Sequence, residues 1–108
     1  MQNHGDILGA QEIYRKIITT DKSYTDAYLN SGLLYLETDS IAKAFEQFDL
    51  MVAIAPTNYL AYYMRGIVNE KKGKAKEALK DYETAYNLNK NEEKIQKAIA
   101  LIKTKIQN

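Results

Sequence analysis

A nucleophile, a general base or a metal-ligand set would have to be drawn from a thin inventory. The 108 residues include one histidine, His4, and no cysteine. There is therefore no thiolate nucleophile, cysteine metal site or disulfide framework, and the redox compartment cannot be read. His4 stands in a stretch expected to fray, without a convincing acid–base partner, and reads as a surface residue rather than a ligand or base. Glu92 and Glu93 are adjacent carboxylates at an expected helix start, where negative charge favours the helix dipole; they read as a helix beginning, not an acid–base pair. No glycine-rich phosphate loop, serine nucleophile elbow or histidine-based metal motif is present. The expectation is a non-enzyme with no cofactor and no metal.

Charge leads to a similar conclusion about partners. Fifteen Lys and Arg oppose fourteen Asp and Glu, for a net charge of +1, so no strong overall field draws in nucleic acid or an acidic membrane. Lys71, Lys72, Lys74 and Lys76 cluster, but Glu70, Glu77, Asp81 and Glu83 interrupt them, and no arginine stripe or aromatic interleaving accompanies them. A solvated face is expected there, and no nucleic-acid partner. Met1 to Ala10 lacks a basic segment followed by an apolar one, and no apolar run approaches the ~20 residues of a membrane span. Direct membrane insertion is not expected. The chain as written reads as soluble and by default cytoplasmic, with a removed signal or anchor left open. Its length fits one domain burying roughly two-thirds of its unfolded surface.

The elements that would position any site are organised by a 34-residue period. Tyr28 falls on Tyr62, Ala27 on Ala61, Gly32 on Gly66, Ala44 on Ala78 and Phe48 on Tyr82, while Ala10 precedes Ala44 and Tyr14 precedes Phe48 by the same step. Ser23, Thr57 and Asn91 keep that step and are of N-cap type, since a side-chain oxygen there accepts a bond from a free first-turn N–H.

One segment of each copy repeats an apolar stripe at helical spacing, as in Ile41, Ala44, Phe45, Phe48, Met51, Val52 and Ala55. Ile7, Ala10, Tyr14, Ile17 and Ile18 form its counterpart before, and Ala75, Ala78, Leu79, Tyr82, Ala85 and Tyr86 its counterpart after. The other segments, 26–37 and 60–71, hold Gly32 and Gly66 in mid-helix, which costs about 0.5–1 kcal/mol relative to Ala unless close packing requires the missing side chain. Breaks fall at Thr38 to Ser40 and at Gly73 within copies, and at Thr20 to Ser23 and Pro56 to Asn58 between them; connections this short favour antiparallel neighbours. In the last segment, Ile95, Ala98, Ile99, Ile102 and Ile106 share one face while Lys94, Lys97, Lys103 and Lys105 lie largely elsewhere, as in a helix that closes an array against water. The fold expected is all-α: an antiparallel helix-pair repeat array of about six helices with a C-terminal capping helix. Its parts are a half repeat at 1–24, repeats at 25–58 and 59–92, and the cap at 93–108.

These residues resemble the tetratricopeptide repeat family, a type of α-solenoid. One copy gives Tyr28, Gly32, Tyr35, Ala44, Phe48 and Pro56; the next gives Tyr62, Gly66, Ala78 and Tyr82. Ser31 and Arg65 stand where the family usually has Leu, Asn69 replaces the second aromatic, Met51 a common Ala, and Lys90 the closing Pro. Tyr14, Tyr28, Tyr35, Tyr62 and Tyr82 take the family's packing positions.

The resemblance implies a scaffold that binds a protein or peptide partner on the concave surface lined by the first helix of each pair. It places Asn30, Leu33 and Glu37 there from one copy, and Tyr63, Met64 and Ile67 from the next, making a mainly apolar groove suited to a peptide or amphipathic helix. Some members grip a terminal carboxylate with Lys, Asn and Arg on these helices. Asn30 matches one such position, but Leu29, Leu33, Leu60 and Met64 replace other groups of the grip. Tyr63 is the tyrosine expected to meet a ligand. The alternative is a structural or self-assembly segment of a longer repeat protein, dimerising or docking through the N-terminal edge near Ile7 and Tyr14.

Overall fold

The computed structural model describes residues 25–107. Five α-helices follow one another: α1, Thr25–Glu37; α2, Ile41–Ile54; α3, Tyr59–Lys71; α4, Ala75–Leu88; and α5, Glu93–Gln107. There is no strand among the described residues. The half repeat expected at 1–24, with Ile7, Tyr14, Ile17 and the Ser23 cap, lies outside them. The chain divides into two compact units, Met1–Ala55 and Pro56–Asn108. The pair α1–α2 belongs to the first, and α3, α4 and α5 to the second.

Within the first unit, α1 buries Tyr28, Ser31, Gly32 and Tyr35, and α2 buries Ala44, Gln47, Phe48 and Met51. Both sets step by three or four residues, so each is one helical face. In the second unit α3 buries Ala61, Met64, Gly66, Val68 and Asn69, α4 buries Ala78, Asp81, Tyr82 and Ala85, and α5 buries Ile95 and Ile102. Each fully buried large side chain contributes about 1.5–3 kcal/mol against exposure.

The mid-helix glycines are explained by the second helix of each pair. A Cβ at Gly66 would stand 2.6 Å from Cε1 and 2.7 Å from Cδ1 of Tyr82, and one at Gly32 would overlap the Phe48 ring. Each ring rests directly on helix backbone, a closeness that no other residue type permits.

The two intra-pair turns share one geometry, again 34 residues apart. Asp39 has φ 60° and Gly73 φ 79°, the left-handed conformation that ends helices. Ser40 N donates to Tyr35 O, and Lys74 N to Asn69 O, both at 2.8 Å, closing matching six-residue loops over the helix end.

The N-caps depart from expectation by one residue. Asn58, not Thr57, begins α3, its side-chain oxygen accepting from Leu60 N at 3.0 Å. At α5 the bond to Lys94 N comes from Glu92 Oε1 at 3.4 Å, and Asn91 instead donates its own N–H to Asn89 Oδ1. Asn, or an acid standing just before the first turn, serves at these positions as Thr does, so residue type alone did not discriminate between neighbours.

Candidate functional site

The site expected from the repeat register separates into an open part on α1 and a packed part on α3. On α1, Asn30, Leu33 and Glu37 are all exposed. Their spacing of three and four residues puts them on one stripe. Leu33 is 40% exposed, one of three large apolar side chains so placed among the described residues.

On α3, the three expected residues mostly serve their own unit. Met64 is 9% exposed and counts with the core, so it presents little surface. Tyr63 and Ile67 are half-buried and pack against a cluster of Ala78, Tyr82 and Ile102. The Tyr63 and Tyr82 rings lie 5.8 Å apart at 43°, a tilted aromatic contact. Burial, followed by the charges of Glu92 and Glu70, raises the Tyr63 pKa above its ordinary value.

Beside them, Glu70 joins all three helices of the second unit. It accepts from Tyr82 Oη at 2.7 Å and from Lys105 Nζ. Burial pushes the Glu70 carboxyl up, but the hydrogen bonds from Lys105 and Tyr82 and the charges of Lys105 and Lys71 outweigh it, so the net displacement is downward. The Tyr82 hydroxyl moves strongly upward, through burial first and then the bond to Glu70. A hollow of about 270 Å³ beside this junction is lined by Ile67, Glu70, Lys71, Tyr82 and Lys105.

A second polar assembly was not anticipated from the sequence. Arg65 grips Asp81 with two parallel bonds, Nε to Oδ2 at 3.0 Å and Nη2 to Oδ1 at 2.8 Å. Asn69 Nδ2 adds a third, to Oδ2 at 3.0 Å. The two departures from the family pattern on α3 are thus answered by one carboxylate on α4. Their exact register counterparts in the first pair, Ser31, Tyr35 and Gln47, would have flagged Asp81 had all three positions been compared together. Tyr62 behaves partly as a clasp, its hydroxyl donating to Pro56 O at 3.0 Å with the Arg65 guanidinium 5.8 Å from its ring centre.

Between α4 and α5 lies an open cleft of about 490 Å³ lined by Glu83, Tyr86, Asn87, Gln96, Ile99 and Lys103. Among the described residues no group of three His, Cys, Asp or Glu side chains is placed to hold a metal ion, and no helix is long and apolar enough to cross a membrane.

Antiparallel helix pairs with a ring seated on a mid-helix glycine define a helical-repeat protein. Residues 59–92 match the family model for the tetratricopeptide repeat, and the described residues have the all-helical architecture of such repeats. It is similar to the first such domain of Spaghetti (RPAP3), solved with the HSP90 peptide SRMEEVD, with 25% identity, a TM-score of 0.79, and coverage of 96% of this chain and 85% of that one. It also resembles the crystal structure of MamA, at 23% identity and TM-score 0.76, covering 95% of this chain and 60% of that one; this second likeness concerns the fold alone. Among curated proteins, BBSome complex member BBS4 of Bos taurus is 35% identical over 78 residues, which are 72% of this chain and 15% of that protein. The chain therefore spans a small part of that relative's length. The fold is that of a protein–protein interaction module.

Proposed function

We propose that the chain is a non-catalytic module that binds a peptide or amphipathic helix, with the exposed stripe of α1 as the principal contact. The observation that carries this reading is Leu33, a large apolar side chain held in solvent between Asn30 and Glu37. Apolar contact at Leu33 supplies affinity, while the amide of Asn30 and the carboxylate of Glu37 orient the ligand. Tyr63 and Ile67 offer only their outer edges, and Met64 almost nothing. The Spaghetti (RPAP3) domain bound to an HSP90 peptide supports peptide binding as the type of activity. Leucines at 29 and 33 favour a more apolar ligand than the acidic end of that peptide.

The test is enrichment of a displayed library of amphipathic helical peptides on the intact chain, with SRMEEVD measured alongside. Selected peptides should lose on the order of tenfold or more in affinity to the Leu33→Glu variant, whose helical circular dichroism should match the parent. Peptides that bind parent and variant equally would overturn the assignment of α1.

A further inference from the structure

The two intra-pair turns have one backbone geometry and opposite charge. Each holds a left-handed residue, Asp39 or Gly73, and each closes with the same six-residue loop. Residues 37–42 carry Glu37 and Asp39 and no cation, whereas residues 71–76 carry Lys71, Lys72, Lys74 and Lys76 and no acid. Since one geometry is built from either set, the turn itself does not require the lysines.

Local helix energetics account for only two of them. Lys71 and Lys72 stand at the end of α3, where positive charge suits the helix dipole. Lys74 and Lys76 stand at the start of α4, where positive charge opposes that dipole. The unit offers little to neutralise them. The hydrogen bonds of Glu70 come from Tyr82 and Lys105. Lys74 and Lys76 line a hollow of about 350 Å³ with Glu77 and Ile106, and α5 beyond Glu93 contains no carboxylate.

The cluster is also open. Residues 71–74 and 76 are exposed, and a Cβ on Gly73 would meet nothing within 4 Å. Thr38 and Asp39 of the other turn are exposed as well, so a turn in this register is not the seat of a neighbouring helix. The overall charge of +1 conceals this local excess.

We infer that the Lys71–Lys76 turn docks on an anionic phospholipid surface, met end-on by the tips of α3 and α4. Residues 71–76 hold no large apolar side chain, aromatic ring or arginine, the types that anchor a protein partner. Lysines alone supply point charges on flexible stems rather than bidentate recognition. Acidic headgroups in a bilayer present charge that is flat, mobile and diffuse, which asks for nothing more. Because the turn projects, all four ammonium groups can reach such a plane together. The contact is electrostatic, without insertion, and is separate from the α1 stripe.

The test is co-sedimentation of the intact chain with vesicles of phosphatidylserine in phosphatidylcholine, and of phosphatidylcholine alone, over a salt series. Binding is expected to the acidic vesicles only, and to fade as salt rises. Lys74→Ser with Lys76→Ala installs the first turn's residues and should weaken the partition on the order of twentyfold. Lys94→Gln with Lys97→Gln, which removes as much charge from the other end of α5, should change it by less than about threefold. The first double variant should melt no lower than the parent, because it relieves the start of α4. A lower melting temperature assigns these lysines to folding and overturns the inference. So does an equal loss in both double variants, or absence of binding to acidic vesicles at low salt. Retention of the chain by polyglutamate but not by the vesicles overturns it in favour of an acidic protein.

Discussion

The two helix pairs solve the same packing problem with different polar chemistry. In α1–α2, the ring of Phe48 covers Gly32, and Ser31, Tyr35 and Gln47 surround the contact, all buried. In α3–α4, the ring of Tyr82 covers Gly66, and Arg65, Asn69 and Asp81 occupy the equivalent places. What the pairs share, a ring on bare backbone, sets how closely the helices approach. What they do not share shows that the surrounding positions are constrained only as a set. A cation and an amide are tolerated at positions 65 and 69 because a carboxylate arrives at 81 to satisfy both, and a partly buried ion pair with good geometry offsets much of its desolvation cost.

The comparison is broken most severely at the shared feature. Gly32→Leu and Gly66→Leu should each destabilise by about 3 kcal/mol through overpacking, measured by urea unfolding; a neutral result in either would refute the ring-on-glycine contact. Next in size, Asp81→Ala should cost about 2 kcal/mol by leaving Arg65 and Asn69 without their acceptor. The triple change Arg65→Ser, Asn69→Tyr and Asp81→Gln, which installs the first pair's set, should recover most of that loss. If the triple variant is no better than Asp81→Ala, the three positions do not act together. The smallest effect concerns the turns: Asp39→Gly should raise stability by about 1 kcal/mol, since glycine adopts positive φ without a steric cost, whereas Gly73→Asp should lower it. Melting temperatures of the two variants should move in opposite directions.

Much of the fold was legible because apolar spacing and glycine position are local signals. The stripe from Ile41 to Ala55 and that from Ala75 to Tyr86 are buried or half-buried throughout, and the breaks at Thr38, Pro56 and Gly73 fall between helices. The caps were less legible, because Thr57 and Asn58 are both competent and only backbone geometry chooses between them. The candidate site was legible on α1 and poorly so on α3. Register identifies which residues share a face, but not whether another helix covers it. Tyr63 and Ile67 face the cluster that includes Ile102 of α5, a contact spanning more than thirty residues of sequence. The Arg65–Asn69–Asp81 assembly was hidden for the opposite reason: each residue taken singly reads as a lapse from the family pattern, and only together do they form a set of donors and an acceptor.

The ring-on-glycine contact also fixes which positions sequence drift can touch. The aromatic place accepts either Phe or Tyr, as the two pairs demonstrate by holding one of each, because the para position is free to gain or lose a hydroxyl where a partner such as Glu70 exists. The glycine place has no comparable latitude, since even a methyl group has nowhere to go. Tolerance to substitution is thus lopsided across a single contact.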